Sequence, residues 1–243
     1  MISSFISAVY CDEIKFIEKI IAKVSDIAEN AKSQHLILAS GVLEYTKYTS
    51  STSKYTKSKF NELKRPFSNC CNSKHPYVRA IARHYVGRCL VKEAYLQQDE
   101  KVRVKFLEFA LGHFKMAENE FELCEIDESS KMMWLAFLQR HLARTYHGLK
   151  NTDLALEYAE KALRNREDLV VRLQNSYDNA AFDAFEAEYY LSVIDYVLIS
   201  KDRTFAPYEE MQGILQGPQV KTSKWWAKVA RDYRLTENSL SAD

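Results

Sequence analysis

From Pro76 to Ile199 the apolar residues recur at spacings of three and four, interrupted only by turns of two to five residues. That rhythm turns one stripe of a 3.6-residue helix towards a core, and no segment shows the alternation of a half-buried strand. The chain has 6 Gly and 4 Pro among 243 residues, too few for the turns a sheet protein of this length requires. The expectation is an all-α fold of about ten helices. The length suits one core or two.

Helix signals set the expected boundaries. Ile6, Tyr10, Ile17, Ile20, Val24, Ile27 and Ala31 predict a long amphipathic helix over Ser4–Lys32, and a second runs from Ser33 towards Tyr48. Thr46–Phe60 reads as a weak helix or a partly mobile segment, and Pro66 with Ser68–His75 as a loop. Pro76 suits a first helical turn, because its missing N–H would be unpaired there anyway; that helix extends to about Gln98. Asp99 caps the next, which carries Leu107, Ala110, Phe114, Ala117 and Phe121. Asp127–Ser130 opens a helix to Tyr146, with Gly148 as its stop, and Asn151-Thr152 caps a short helix over Asp153–Arg166. A long helix is expected over Asp168–Ile199, followed by two short ones begun by Pro207 and Pro218, the second capped by Ser223. Residues 1–65 form one expected domain and 76–243 another, with a single continuous domain as the alternative.

Short turns between long helices raise the question of repeats. Leu142-Ala143-x-x-Tyr146, the turn Lys150-Asn151-Thr152 and Ala155-Leu-Glu-Tyr158-Ala159-Glu-Lys-Ala162-Leu163 resemble one tetratricopeptide repeat. Small residues at 143, 155 and 162 let two helices cross closely, and Tyr146 and Tyr158 fill the space beside them. Pro76–Glu122 looks like a degenerate relative, with Gly87 at its close contact. The resemblance implies a superhelix of stacked antiparallel hairpins, in which the first helix of each hairpin lines a concave surface. It places Phe137, Arg140, Arg144 and His147 in a basic groove, with His84 and Arg88 in the same role one hairpin earlier. Arg140 and Arg144 lie one turn apart, so both guanidinium groups would grip a carboxylate or phosphate. The family's carboxylate clamp normally includes Asn, which is missing here, and Glu167 stands where its closing Pro would be.

Other features point to partners of different kinds. Val170, Leu173, Tyr177, Ala180, Ala184, Ala187, Leu191, Ile194 and Leu198 keep a coiled-coil spacing that would suit homodimerisation through the 170–198 helix, or coverage by helices of the same chain. Two basic segments interleaved with aromatics, 45–65 and 221–234, raise the alternative of nucleic-acid binding. The acidic stretches Glu118–Glu128 and Asp178–Asp195 offset that charge and are expected to face it. With 34 Lys+Arg against 33 Asp+Glu, bulk charge gives no general attraction to nucleic acid or membrane.

Chemistry-bearing motifs are absent. There is no phosphate-binding glycine loop, no H-E-x-x-H and no nucleophile elbow, so neither an enzyme nor a bound cofactor is expected. Cys70-Cys71-x-x-x-His75 lacks the second ligand pair of a zinc site. Five cysteines without repeated spacing fit a reducing interior, and no apolar stretch approaches the roughly 20 residues of a membrane helix. The sequence therefore predicts a cytoplasmic interaction module that binds a peptide or extended protein segment.

Overall fold

A computed structural model describes residues 34–50, 55–173, 179–218, 220 and 223–241. Every regular element among them is an α-helix: α1 (Gln34–Ser50), α2 (Lys57–Cys70), α3 (Pro76–Tyr95), α4 (Glu100–Glu122), α5 (Glu128–Gly148), α6 (Thr152–Leu173), α7 (Asn179–Ser200), α8 (Ala206–Ile214) and α9 (Lys224–Leu240). The helix expected over Ser4–Lys32 lies outside the described residues. The chain divides into two compact units, Met1–Lys131 and Met132–Asp243. The division therefore falls in the first turn of α5 rather than between residues 65 and 76, and the hairpin Pro76–Glu122 belongs with the N-terminal helices.

Helix starts follow their capping chemistry. The carboxylate of Asp99 accepts the N–H of Lys101 at 2.8 Å and of Val102 at 3.4 Å. Asp127 accepts the Ser130 N–H at 2.9 Å, and bonds from Ser130 hold its pKa below the ordinary value. Asn151 accepts the Leu154 N–H at 3.2 Å. The turn before it is made by Lys150 in the left-handed region, φ 61°. Gly148 is only the last residue of α5.

The last helix, expected to be short, spans 17 residues from Lys224, and two boundaries differ more sharply from the sequence expectation. Pro66 lies inside α2 and not in a loop. A proline costs a helix about 3 kcal/mol or more through its missing N–H and its ring. Here burial of Phe60, Leu63, Phe67 and Cys70 on the same helix opposes that cost, and the Pro66 ring packs on Gly41 of α1. A Cβ at Gly41 would lie 3.1 Å from Pro66 Cγ and 3.0 Å from Phe67 Cε1. The second difference is that α6 continues through Glu167 to Leu173. Asn165-Arg-Glu-Asp168 contains no helix breaker, and Leu169 beyond it is buried. The single helix Asp168–Ile199 is thus two helices, with residues 174–178 outside the described set.

In the first unit α3 is buried nearly all round and serves as the axis. Phe67 of α2 stacks on its Tyr85 at 4.9 Å, and Tyr45 of α1 meets Tyr85 edge-on at 5.3 Å. On its other side α4 runs antiparallel, with Phe121 near Tyr77 and Phe114 against Gly87. Arg79 and Arg83 of α3 clasp Glu120 of α4 at 3.1 and 3.2 Å.

The second unit is centred on α7. Its Ala187, Tyr190, Leu191, Val193, Ile194 and Val197 form one core with Tyr208 and Met211 of α8 and Trp226 and Val229 of α9. The expected coiled-coil seam at 187, 191 and 194 is therefore covered by helices of the same chain. In the α5–α6 hairpin Ala143, Ala155, Ala159 and Ala162 are buried, and Tyr146 stacks on Tyr158 at 5.5 Å and 16°. Among the described residues, no helix is long and apolar enough to cross a membrane.

Candidate functional site

The groove residues expected on α5 are gathered in the second unit, around a buried charge cluster. Arg140 is 6% exposed. Its Nε donates to Asp195 at 2.5 Å and its Nη1 to Glu188 at 3.0 Å, both on α7. Arg144, one turn on, donates from Nε and Nη2 to the other oxygen of Asp195 at 2.8 and 2.6 Å. Lys228 of α9 completes Glu188 from its second oxygen at 3.0 Å. Phe137 is buried beneath the Arg166 guanidinium of α6, which lies 3.8 Å from its ring centroid.

The electrostatics follow from burial and pairing together. Burial alone would raise the Glu188 carboxyl, but Lys228, Arg140 and Arg166 reverse this and hold it well below the carboxylate range. Asp195 is likewise lowered, burial being overcome by Arg140 and Arg144. Burial also opposes the Arg140 charge, and Asp195 and Glu188 keep it positive. Both carboxylates are thus held ionised by the cations around them. The cluster ties α5, α7 and α9 together.

This corrects the geometry of the expected groove. Arg140 and Phe137 do not line an open surface. Arg144, its side chain 46% exposed, reaches solvent while bonded to Asp195. His147 is half-buried, and burial followed by the Lys201 charge lowers its pKa. In the first unit His84 is 0% exposed, with Tyr85 and Phe114 as ring neighbours at 5.5 and 6.0 Å. Arg88 lies over the Tyr45 and Tyr85 rings at 4.7 and 4.9 Å. His84, Phe137 and Arg140 are therefore buried within their own units.

The basic segments are also drawn into packing. Tyr48, Tyr55 and Phe60 contact one another at 5.2–5.6 Å, and Tyr45 and Phe60 are buried, which leaves these two rings no face for a base. Lys64 pairs with the buried Glu93 at 2.7 Å. In the second segment Trp226 is core, and Lys228 faces the acidic stretch as the sequence suggested. Near Cys70, His35 and His75 stand 5.1 Å apart. No group of three or more potential metal ligands occurs among the described residues.

Sequence reasoning missed one surface. Phe109 and Met116 on α4 and Leu123 at its C-cap are 64%, 52% and 77% exposed, on the side of the helix away from Phe114 and Ala117. Their spacing of seven was the available signal. Tyr95 at the end of α3 and Leu96 after it are also exposed, so five of the seven large exposed hydrophobic residues described belong to the first unit. No family model, no curated protein and no solved structure matches the chain.

Proposed function

We propose that the chain is a cytoplasmic protein–protein interaction module that holds a peptide or extended protein segment, in a scaffold or regulatory role. The observation that carries this reading is the apolar stripe Phe109–Met116–Leu123 on the outer face of α4. Apolar side chains gain when a partner removes them from water, at roughly 25 cal/mol per Å². A row of them at helical spacing fits an amphipathic partner better than a small-molecule substrate.

Free, buried thiols at Cys70, Cys71, Cys89 and Cys124 suit a reducing compartment. The tetratricopeptide-like reading of the α5–α6 hairpin remains part of the proposal and rests on its buried alanines and its Tyr146–Tyr158 stack. Within it, Arg144 and His147 are the members of the expected groove set still within reach of solvent. The partner surface, however, is assigned to α4.

The test is affinity capture from the native host, comparing wild type with Phe109→Glu/Met116→Glu. Loss of specific partners by a variant with unchanged circular dichroism is the expected result. An identical set of captured proteins would sink the reading.

A further inference from the structure

We infer that the α4 stripe is an isologous interface, on which a second copy of this chain lays its own α4 antiparallel. The inference rests on the interaction-module reading and names the occupant of the same surface. Three features of α4 argue for self-pairing.

The first is charge order. Beside the stripe, Lys101, Glu108, Lys115 and Glu122 recur every seven residues with alternating sign. If Phe109 and Met116 occupy the a positions of a heptad, these are g positions, and in an antiparallel pair g residues face g residues of the other helix. The register that sets Glu108 opposite Lys115 of the other copy also sets Lys101 opposite Glu122. Two-fold symmetry repeats both pairs, so every g contact joins opposite charges. Lys101, Glu108 and Glu122 make no ion pair among the described residues, and Lys115 pairs within its own helix with the neighbouring Glu118 at 2.5 Å.

Shape is the second feature. The same register places Phe109 over Gly112 of the other copy. A Cβ at Gly112 would meet nothing within 4 Å, so a large ring is set opposite an open, small position in both directions. The third is continuity. Leu123 falls at the level of residue 98 of the other copy, beside the turn where Tyr95 and Leu96 are exposed. A 23-residue helix is about 34 Å long. One such contact falls at the small end of specific interfaces, so self-association is expected in roughly the micromolar range.

The test is sedimentation velocity of the full chain from about 1 to 200 µM. The weight-average mass should rise from 28.2 kDa towards twice that value. Glu108→Lys alone sets like charges opposite each other and should weaken the dimer by about tenfold. Glu108→Lys/Lys115→Glu restores opposite signs in the antiparallel register and should recover most of that loss. Both substitutions are on the surface, and circular dichroism confirms folding. A mass constant at 28.2 kDa throughout, as when another segment or a different protein covers α4, overturns the inference. Failure of the double variant to recover overturns it as well. The capture comparison with Phe109→Glu/Met116→Glu is read separately, so a strictly monomeric chain that still loses partners refutes self-pairing alone.

Discussion

A Cβ placed on Gly87 would stand 2.4 Å from Cε1 of Phe114. No side chain larger than hydrogen fits where α3 crosses α4, although the helix itself would gain about 1 kcal/mol from Ala in place of Gly. Gly87→Ala should therefore destabilise the first unit by about 1–3 kcal/mol, the range typical of overpacked cores. Urea denaturation measures it. Gly87→Ala/Phe114→Leu should be more stable than the two single losses summed, because the smaller side chain relieves the overlap.

The two arginines of the charge cluster should behave very differently. Arg140→Met takes the shared cation from Glu188 and Asp195, which keep only Lys228 and Arg144, and the loss should approach the roughly 3–5 kcal/mol of removing one member of a buried pair. Arg144→Ala leaves Asp195 bonded to Arg140 and removes a half-exposed partner, so the loss should stay near 1 kcal/mol or below. Equal losses in urea melts of the two variants would contradict the cluster as described.

Acid stability has two expected stages. Burial, then the Arg88 charge, lowers the His84 pKa well below 6.5. The unfolded chain therefore binds this proton first, and stability declines as pH falls below about 6.5. Glu188 and Asp195 are lowered in the fold as well, so their contribution is complete above the unfolded carboxyl value near 4 and is lost as pH drops below it. Urea midpoints at pH 7.5, 5.5 and 3.5 should fall in two steps, and His84→Gln should shrink the first, to which His35, His113 and His147, lowered by burial too, also contribute.

Thiol reactivity should be low while the chain is folded. Burial raises Cys70 to about 11 and Cys89 to about 12. At pH 8 only about one in a thousand and one in ten thousand of these thiols is ionised, and the thiolate is the nucleophile. Mass-resolved alkylation should label both only after denaturant is added. Rapid labelling in buffer would contradict their burial.

The all-helical class and most helix starts were legible, because caps are local chemistry. Asp99, Asp127 and Asn151 each accept N–H groups two or three residues on, and Gly87 marked a crossing by its position in an apolar stripe. The misreadings have a common origin. Asn165–Asp168 looks like a polar break, yet the helix continues through it, with Asn165 bonded to Gln139 and Arg166 buried against Phe137. Pro66 carries a loop signal that tertiary packing against Gly41 overrides. Arg140 displays its helical face, but the carboxylates that claim it lie 48 and 55 residues further on, and no local pattern connects them. The division at Met132 follows from packing and leaves no composition shift.

The charge cluster also works against incorrect assembly. Most of the contacts in the second unit are apolar, and greasy surfaces tolerate sliding. The fork formed by Arg140, Arg144 and Asp195 does not. Shifting α7 along α5 by a single turn, about 5.4 Å, would pull both carboxylates away from their guanidinium partners. Helices that dock out of step are thereby left with bare ions in oil, and the correct alignment is selected by the penalty on its neighbours.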